Sequence, residues 1–252
     1  MSLMKTTTFA VTGVCMAGAL VLAQGQQPAP AAPEATTRET LLSLYQSERS
    51  ADVKETILRT LGDRGATATL VSLYDSEKDQ DLRETILRQL ADRDDQTART
   101  KLAAVAKSDP NPELRETAIR QLADHGQTSA VAALYDAERD PDVRATILRC
   151  IADRDDEAGR AKVLAVAKGD DDDDVRETAI RLMADRGRIS ELIALYDGEK
   201  NAELKEVILR SLADTGTDAA LKKVLDVARN DPNEELREVA IRSLADRIGG
   251  SQ

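Results

Sequence analysis

A pattern that recurs in seven consecutive units constrains this chain more than any other feature. In each unit an aliphatic residue is followed directly by Lys or Arg, and this pair marks one fixed position of the repeat. The seven aliphatic residues are Val53, Leu82, Leu114, Val143, Val175, Leu204 and Leu236. Their spacings alternate between 29 and 32 residues, so two units make a 61-residue period. Repeats of this length are typical of solenoids, in which each unit packs only against its neighbours.

Each unit predicts a pair of helices. In the second helix, apolar residues recur at the spacing of one helix face, as Leu82, Ile86 and Leu90 do in unit 2. Three residues before each marker stands a side chain that favours the N-cap position, where its oxygen accepts an unpaired backbone N–H. These residues are Ser50, Asp79, Asn111, Asp140, Asp172, Asn201 and Asn233. The chain is therefore predicted to be all-α.

Charged residues also recur at two fixed positions, one just before the second helix and one within it. An acid lies five residues before each marker, and the base that follows the marker lies near the middle of the apolar face of its helix. A charge in that position needs a partner. We therefore predict a structural ladder in which the acid of one unit pairs with the base of the same or the next unit. Its predicted members are Glu77, Arg83, Asp109, Arg115, Glu138, Arg144, Asp170 and Arg176.

With these residues the chain resembles the HEAT-repeat family, in the short form found in bacterial proteins. The segments DPDVRATILRCIADRD (Asp140 to Asp155) and DDDVRETAIRLMADRG (Asp172 to Gly187) are similar to the second helix of that repeat. The resemblance covers Thr36 to about Ile248. It implies a right-handed α-solenoid of about seven HEAT-type helix pairs, with the second helices lining a concave surface.

A column of arginines is the candidate binding site. Each lies on the predicted solvent side of a second helix, and an Asp follows it four residues later. The arginine stripe consists of Arg59, Arg88, Arg120, Arg149, Arg181, Arg210 and Arg242. On the concave surface that the resemblance implies, it would form a multivalent groove for a charged or extended protein. Pairing with Glu four residues earlier would explain the column by helix stabilisation alone, so both interpretations stand.

Composition excludes several other functions. The chain has one His and two Cys, too few for a structural zinc site or a disulfide framework. It has no Trp and one Phe, which disfavours an aromatic platform for sugars, bases or flavins. Its formal charge of −11 disfavours nucleic-acid binding, because phosphate would be repelled. The Asp170–Asp174 run lacks the spacing of a calcium loop, and His125 and Cys150 have no catalytic companions. We therefore expect no catalytic residue, metal or cofactor.

The N-terminus predicts export. Residues 1–23 have a basic residue, an apolar stretch and small residues before a cleavage point, which is typical of a signal peptide. Residues 24–35 are rich in Pro and Ala and predict a disordered linker before the solenoid at 36–252. We expect a periplasmic or extracellular protein that does not insert into the membrane after cleavage. An uncleaved N-terminal anchor is the alternative.

Together these features predict an exported, non-catalytic scaffold that binds a protein partner through a repetitive charged concave surface. Two alternatives remain open. Chromophore lyases of light-harvesting proteins also have short HEAT-like arrays, so the resemblance allows an enzyme-associated role of that type. A structural envelope spacer would use the repeats for length alone. The sequence does not name the partner or the oligomeric state.

Overall fold

The computed structural model describes residues 33–93, 95–154 and 156–249, with the side chains of residues 37–246 within those ranges. The predicted signal peptide at 1–23 lies outside the described residues, as does 24–32 of the predicted linker. The first helix begins at Pro33, so the last three residues assigned to that linker are helical.

Helices alternate along the described chain as first and second members of seven pairs. The first helices are α1 (Pro33–Ser47), α3 (Thr67–Ser76), α5 (Gln96–Ser108), α7 (Thr128–Leu134, continued by a 3₁₀ turn at Tyr135–Ala137), α9 (Glu157–Gly169), α11 (Ile189–Gly198) and α13 (Asp218–Asn230). The second helices are α2 (Ala51–Asp63), α4 (Gln80–Ala91), α6 (Pro112–Asp124), α8 (Pro141–Arg154), α10 (Asp173–Asp185), α12 (Ala202–Thr215) and α14 (Glu234–Gly249). The described residues include no β-strand.

The helices pack as an α-solenoid. Each second helix contacts the second helix of the next unit, and each also packs against its own first helix. One continuous core runs through the array, and the apolar residues predicted for the second-helix face, such as Leu82, Ile86 and Leu90, are buried in it. The all-helical solenoid expected from the sequence is therefore confirmed.

N-terminal capping begins most second helices. In six of them the predicted Asp or Asn accepts a backbone N–H of the first turn, as Asp172 does from Asp174 and Val175. Ser50 is the exception, because it occupies the cap position of α2 without a side-chain hydrogen bond. That prediction was wrong for the side chain, although the helix still begins at Ala51.

The alternating repeat length resides in the first helices and the turns before them. Helices α5, α9 and α13 have 13 residues each, whereas α3 and α11 have 10. The shorter helices follow tight turns at Gly65, Gly126 and Gly187, whose positive φ values of 67–75° suit glycine. At Gly65 the backbone bonds Gly65 N–H to Gly62 O and Ala66 N–H to Leu61 O form a Schellman motif.

Candidate protein-binding surface

The arginine stripe is exposed throughout the second helices. All seven members lie on the solvent side, and the six that form ion pairs expose between 51% and 70% of their side chains. The Asp four residues after each arginine is exposed as well. Local helix geometry produces this arrangement, since residues four apart share a face.

Six arginines of the stripe pair with the Glu four residues earlier on the same helix. Arg88 Nη2, for example, lies 2.9 Å from Glu84 Oε2, and Arg210 Nη2 lies 2.9 Å from Glu206 Oε2. The pairs are Arg59–Glu55, Arg88–Glu84, Arg120–Glu116, Arg181–Glu177, Arg210–Glu206 and Arg242–Glu238. These contacts are those that the helix-stabilising interpretation requires.

Arg149 differs from the other members of the stripe. Ala145 occupies the position where the other units have Glu, so the guanidinium has no ion-pair partner among the described residues. Its Nη1 donates to the Thr146 hydroxyl at 3.5 Å. Arg149 is thus the stripe arginine whose charge its own helix leaves unneutralised.

Clefts open between consecutive second helices along the stripe. The cleft between α6 and α8 has a volume of about 440 Å³, and its lining includes Arg120, Asp124, Arg149 and Asp153. Helices α10 and α12 enclose a cleft of about 580 Å³ with the same four columns. Its charged lining is Arg181, Asp185, Arg210 and Asp214, together with Glu177. Each cleft therefore offers guanidinium and carboxylate groups from two units at once.

The ladder residues connect neighbouring units. Five bases pair with the acid of the following unit: Lys54 with Glu77, Arg83 with Asp109, Arg115 with Glu138, Arg144 with Asp170, and Arg176 with Glu199. The sequence prediction paired each acid with the base of its own or the next unit, and this direction was wrong. In the structure each of these acids pairs with the base of the preceding unit, because its side chain faces back across the interface.

From unit 2 onward, two kinds of interface alternate along this ladder, whereas units 1/2 combine Tyr45 with a glutamate, Glu77, which accepts its hydroxyl. At a tyrosine interface (units 2/3, 4/5 and 6/7) a buried Tyr of the earlier unit donates its hydroxyl to the acid of the later one. The donors and acceptors are Tyr74 and Asp109, Tyr135 and Asp170, and Tyr196 and Asp231. At an alanine interface (units 3/4 and 5/6) the Tyr position holds Ala106 or Ala167, and the acid is Glu138 or Glu199.

Sequence reasoning missed a lysine that completes each tyrosine interface. Lys101, Lys162 and Lys223 lie on the longer first helices, with Nζ at 4.6–5.0 Å from the centroid of the preceding Tyr ring. A second cation, from the second helix of the Tyr unit, lies over the same ring, as Arg144 does over Tyr135 at 4.7 Å. The signal was present, because these lysines share one column and occur only in the 32-residue units.

At these interfaces the pKa of Tyr135 is raised, whereas the pKa values of Asp170 and Glu138 are lowered. Burial raises the pKa of the Tyr135 hydroxyl, and the hydrogen bond to Asp170 raises it further. For Asp170, burial alone would raise the pKa, but hydrogen bonds from Tyr135, the Asp172 N–H and Arg144 lower it below its usual value. At the alanine interface, Arg115 likewise outweighs burial and lowers the pKa of Glu138. The acids are therefore held ionised and Tyr135 neutral.

The remaining candidate residues have structural surroundings. Asp170 accepts from Tyr135 and Arg144, and Asp172 caps α10, so this part of the acidic run serves packing. His125 is exposed at the end of α6, and burial raises the pKa of the half-buried Cys150 thiol to about 11.

Within the described ranges, no three His, Cys, Asp or Glu side chains gather as a metal site would require. A search of the same part of the chain for membrane-spanning helices found none of sufficient length and apolarity.

Comparison with known proteins identifies the repeat. The sequence model for HEAT repeats matches residues 36–123, 67–152, 100–184 and 161–245. A search of curated proteins gave no match. A solved structure described as "Computational Design of Self-Assembling Cyclic Protein Homooligomers" aligns over 84% of this chain and 77% of its own at 17% identity, but its TM-score of 0.15 supports no structural comparison. Because the repeat matches span nearly all of the described residues, the chain belongs to the HEAT-repeat family.

Proposed function

We propose that this protein is an exported, non-catalytic scaffold that binds a protein partner along the arginine stripe. HEAT repeats form scaffolds suited to protein interaction, and this typically involves no catalysis. The observation that carries the finer proposal is the pair of clefts at α6/α8 and α10/α12, which have the same charged columns. An extended partner could make the same contact in successive units.

We expect Arg149 to make the strongest contact between this surface and the partner. The other stripe arginines are partly neutralised by their own Glu, whereas Arg149 needs no such pair to be broken before a partner carboxylate binds. The cleft that contains it lies between units 3 and 4, near the middle of the array. The partner segment should therefore place an acidic side chain in the α6/α8 cleft.

Export is part of the proposal and rests on the sequence of residues 1–23 alone. In that location the protein would meet its partner in the periplasm or outside the cell. Fractionation of the source cells tests this, because the proposal expects the processed chain in the envelope or medium. Recovery of the chain with its N-terminus intact in the cytoplasm would contradict it.

Affinity capture from an envelope extract tests the binding surface. The stripe variant carries Arg120→Glu, Arg149→Glu and Arg181→Glu, all at exposed positions. A matched control carries Lys107→Glu, Arg139→Glu and Lys168→Glu, which make the same change of charge on exposed residues at the ends of first helices or in a loop. The proposal expects a partner that the wild type and control retain and the folded stripe variant loses. Equal capture by all three would contradict it and move the interface to the loops or the convex face, and capture of no partner would favour a spacer.

A further inference from the structure

The two ends of the described array expose apolar positions that every internal unit buries. Val53 of α2 is 45% exposed, whereas its counterparts at the alanine interfaces, Val143 and Leu204, are at most 2% exposed. At the other end, Ile241 of α14 is 55% exposed, although Ile119 and Ile180 in the same column are fully buried. Leu44 is also exposed, at 51%, where Leu73 and Leu195 of the same column are 5% exposed. Leu225 is 41% exposed, in a column that the internal units bury only in part. Each end therefore presents the half of an interface that the repeat normally completes.

The C-terminal end carries the basic half of a ladder pair. Arg237 Nη1 donates to the Asp231 carbonyl at 2.8 Å, as Arg115 Nη1 does to the Asp109 carbonyl at 2.9 Å. Arg115 then reaches Glu138 of the next unit with Nε and Nη2. Arg237 is held in the same way but has no carboxylate partner among the described residues.

The N-terminal end carries the acidic half. Glu48 Oε1 accepts the N–H groups of Arg49 and Ser50, as Glu138 Oε1 accepts those of Arg139 and Asp140. In Glu138 the other oxygen, Oε2, accepts Arg115. Within the described part of the chain, no base occupies that position on Glu48.

The order of unit types makes the two ends complementary. Unit 7 carries Ala228 and Arg237, the type that precedes an alanine interface. Unit 1 carries Tyr45 and Glu48, as units 4 and 6 carry Tyr135 with Glu138 and Tyr196 with Glu199. At both internal alanine interfaces, a unit that carries Ala and Arg at these positions is followed by a unit that carries Tyr and Glu. Unit 1 of a second copy therefore matches what unit 7 lacks.

We propose that the chain associates head to tail, with unit 7 of one copy stacked on unit 1 of a second copy in an alanine-type interface. Arg237 pairs with Glu48 of the next copy, while Ile241 and Leu225 cover Val53 and Leu44. Because this contact joins two different surfaces, it generates rings or open filaments and does not stop at a twofold dimer. The arginine stripe would continue from one copy to the next.

Sedimentation velocity and light scattering of the full chain, from about 1 µM to about 1 mM, test the association. The proposal expects a mean mass that rises with concentration beyond a dimer. Val53→Asp blocks one end and Ile241→Asp the other, and each change falls on an exposed position, so helicity and thermal stability should remain those of the wild type. Each variant alone is expected to be monomeric. An equimolar mixture should form a dimer of one copy of each and nothing larger.

The charge pair has its own test. Glu48→Arg and Arg237→Glu should each weaken association by about tenfold or more, because like charges then meet in the interface. The double variant restores the pair with its sign reversed and should recover most of the affinity. A wild type that stays monomeric over the whole range would overturn the proposal. So would association that both aspartate variants retain, since other surfaces would then be responsible.

Discussion

Tyrosine interfaces and alanine interfaces join the same repeat by different chemistry. At units 4/5, Tyr135 spans the contact, its hydroxyl reaches Asp170, and Arg144 and Lys162 lie over its two sides. The Nε of Arg144 has no hydrogen-bond partner among the described residues, since its guanidinium stacks on the ring. At units 3/4 no ring is present. There Arg115 binds Glu138 through both Nε and Nη2, at 2.9 and 3.1 Å.

This difference explains two substitutions within the repeat. From unit 2 onward, the acid is Asp where a Tyr hydroxyl reaches it, and Glu after units 3 and 5, where the acid itself spans more of the gap. At units 1/2 the acid is Glu77 although the Tyr45 hydroxyl reaches it, and there the base is Lys54. The base is Lys only in units 1 and 6, both of which carry Tyr. A lysine can lie over a ring, as Lys205 does at 4.8 Å from the Tyr196 centroid, but it cannot form the two-point contact of Arg115.

The largest effect is expected from removing the ring. Tyr135→Ala should lower the free energy of unfolding by about 3–5 kcal/mol, because it leaves a cavity and takes the aromatic partner from Arg144 and Lys162. Urea unfolding followed by circular dichroism measures this. A loss below about 1 kcal/mol would mean that the ring is not the main element of the tyrosine interface.

Exchange of Arg for Lys should separate the two interface types. Arg115→Lys loses the two-point contact with Glu138, and we expect it to cost about 2–3 kcal/mol. Arg144→Lys keeps a cation over Tyr135, as Lys205 does over Tyr196, and should cost less than about 1 kcal/mol. The same unfolding measurement compares them. Equal costs would show that the interfaces depend on charge alone.

The buried Ala residues of the second helices give a further contrast with the tyrosine-bearing units. Ala118 and Ala179 are fully buried where the tyrosine-bearing units have Ile86, Ile147 and Ile208. Ala118→Leu should destabilise by about 1–3 kcal/mol through overpacking. Ala103→Leu, at an exposed position of α5, is the control and should change little. A melting temperature of Ala118→Leu equal to that of the wild type would show that these positions have room for a larger side chain.

A small effect at neutral pH is expected from Tyr135→Phe, which keeps the ring and removes the hydroxyl bond to Asp170, at a cost of about 1 kcal/mol. The hydroxyl also makes the tyrosine interface sensitive to alkali. The folded pKa of Tyr135 is raised, so its stabilisation is complete below the unfolded pKa of about 10 and is lost as the pH rises towards the folded value. Unfolding as a function of pH should show a shallower alkaline decline for Tyr135→Phe. An identical decline would assign the sensitivity to other groups.

The sequence predicted the helices better than the contacts between units. Periodicity and capping residues such as Asp172 and Asn201 act within one helix, so spacing alone was enough to place them. The ladder depends on how far one unit is rotated and displaced relative to the next, which no local spacing specifies. For that reason Arg115 could not be assigned to Glu138 before the structure, and the pairing direction was wrong.

The candidate binding surface was also predictable only in the features that lie within one helix. The exposure of the arginine stripe follows from its helix face, and the absence of Glu before Arg149 can be read directly from Ala145. The clefts between second helices and the position of Lys162 over Tyr135 required the stacked array, because they join residues of different units.

The alternation of helix length also limits how this gene can change. Loss of unit 4 or unit 6 alone would bring together two alanine-bearing units, with an Asp at the position where Arg115 or Arg176 now reaches a Glu. Loss or gain of 61 residues after unit 1 leaves every junction chemically unchanged. Unequal recombination in two-unit steps can therefore lengthen or shorten the protein without creating a new kind of junction.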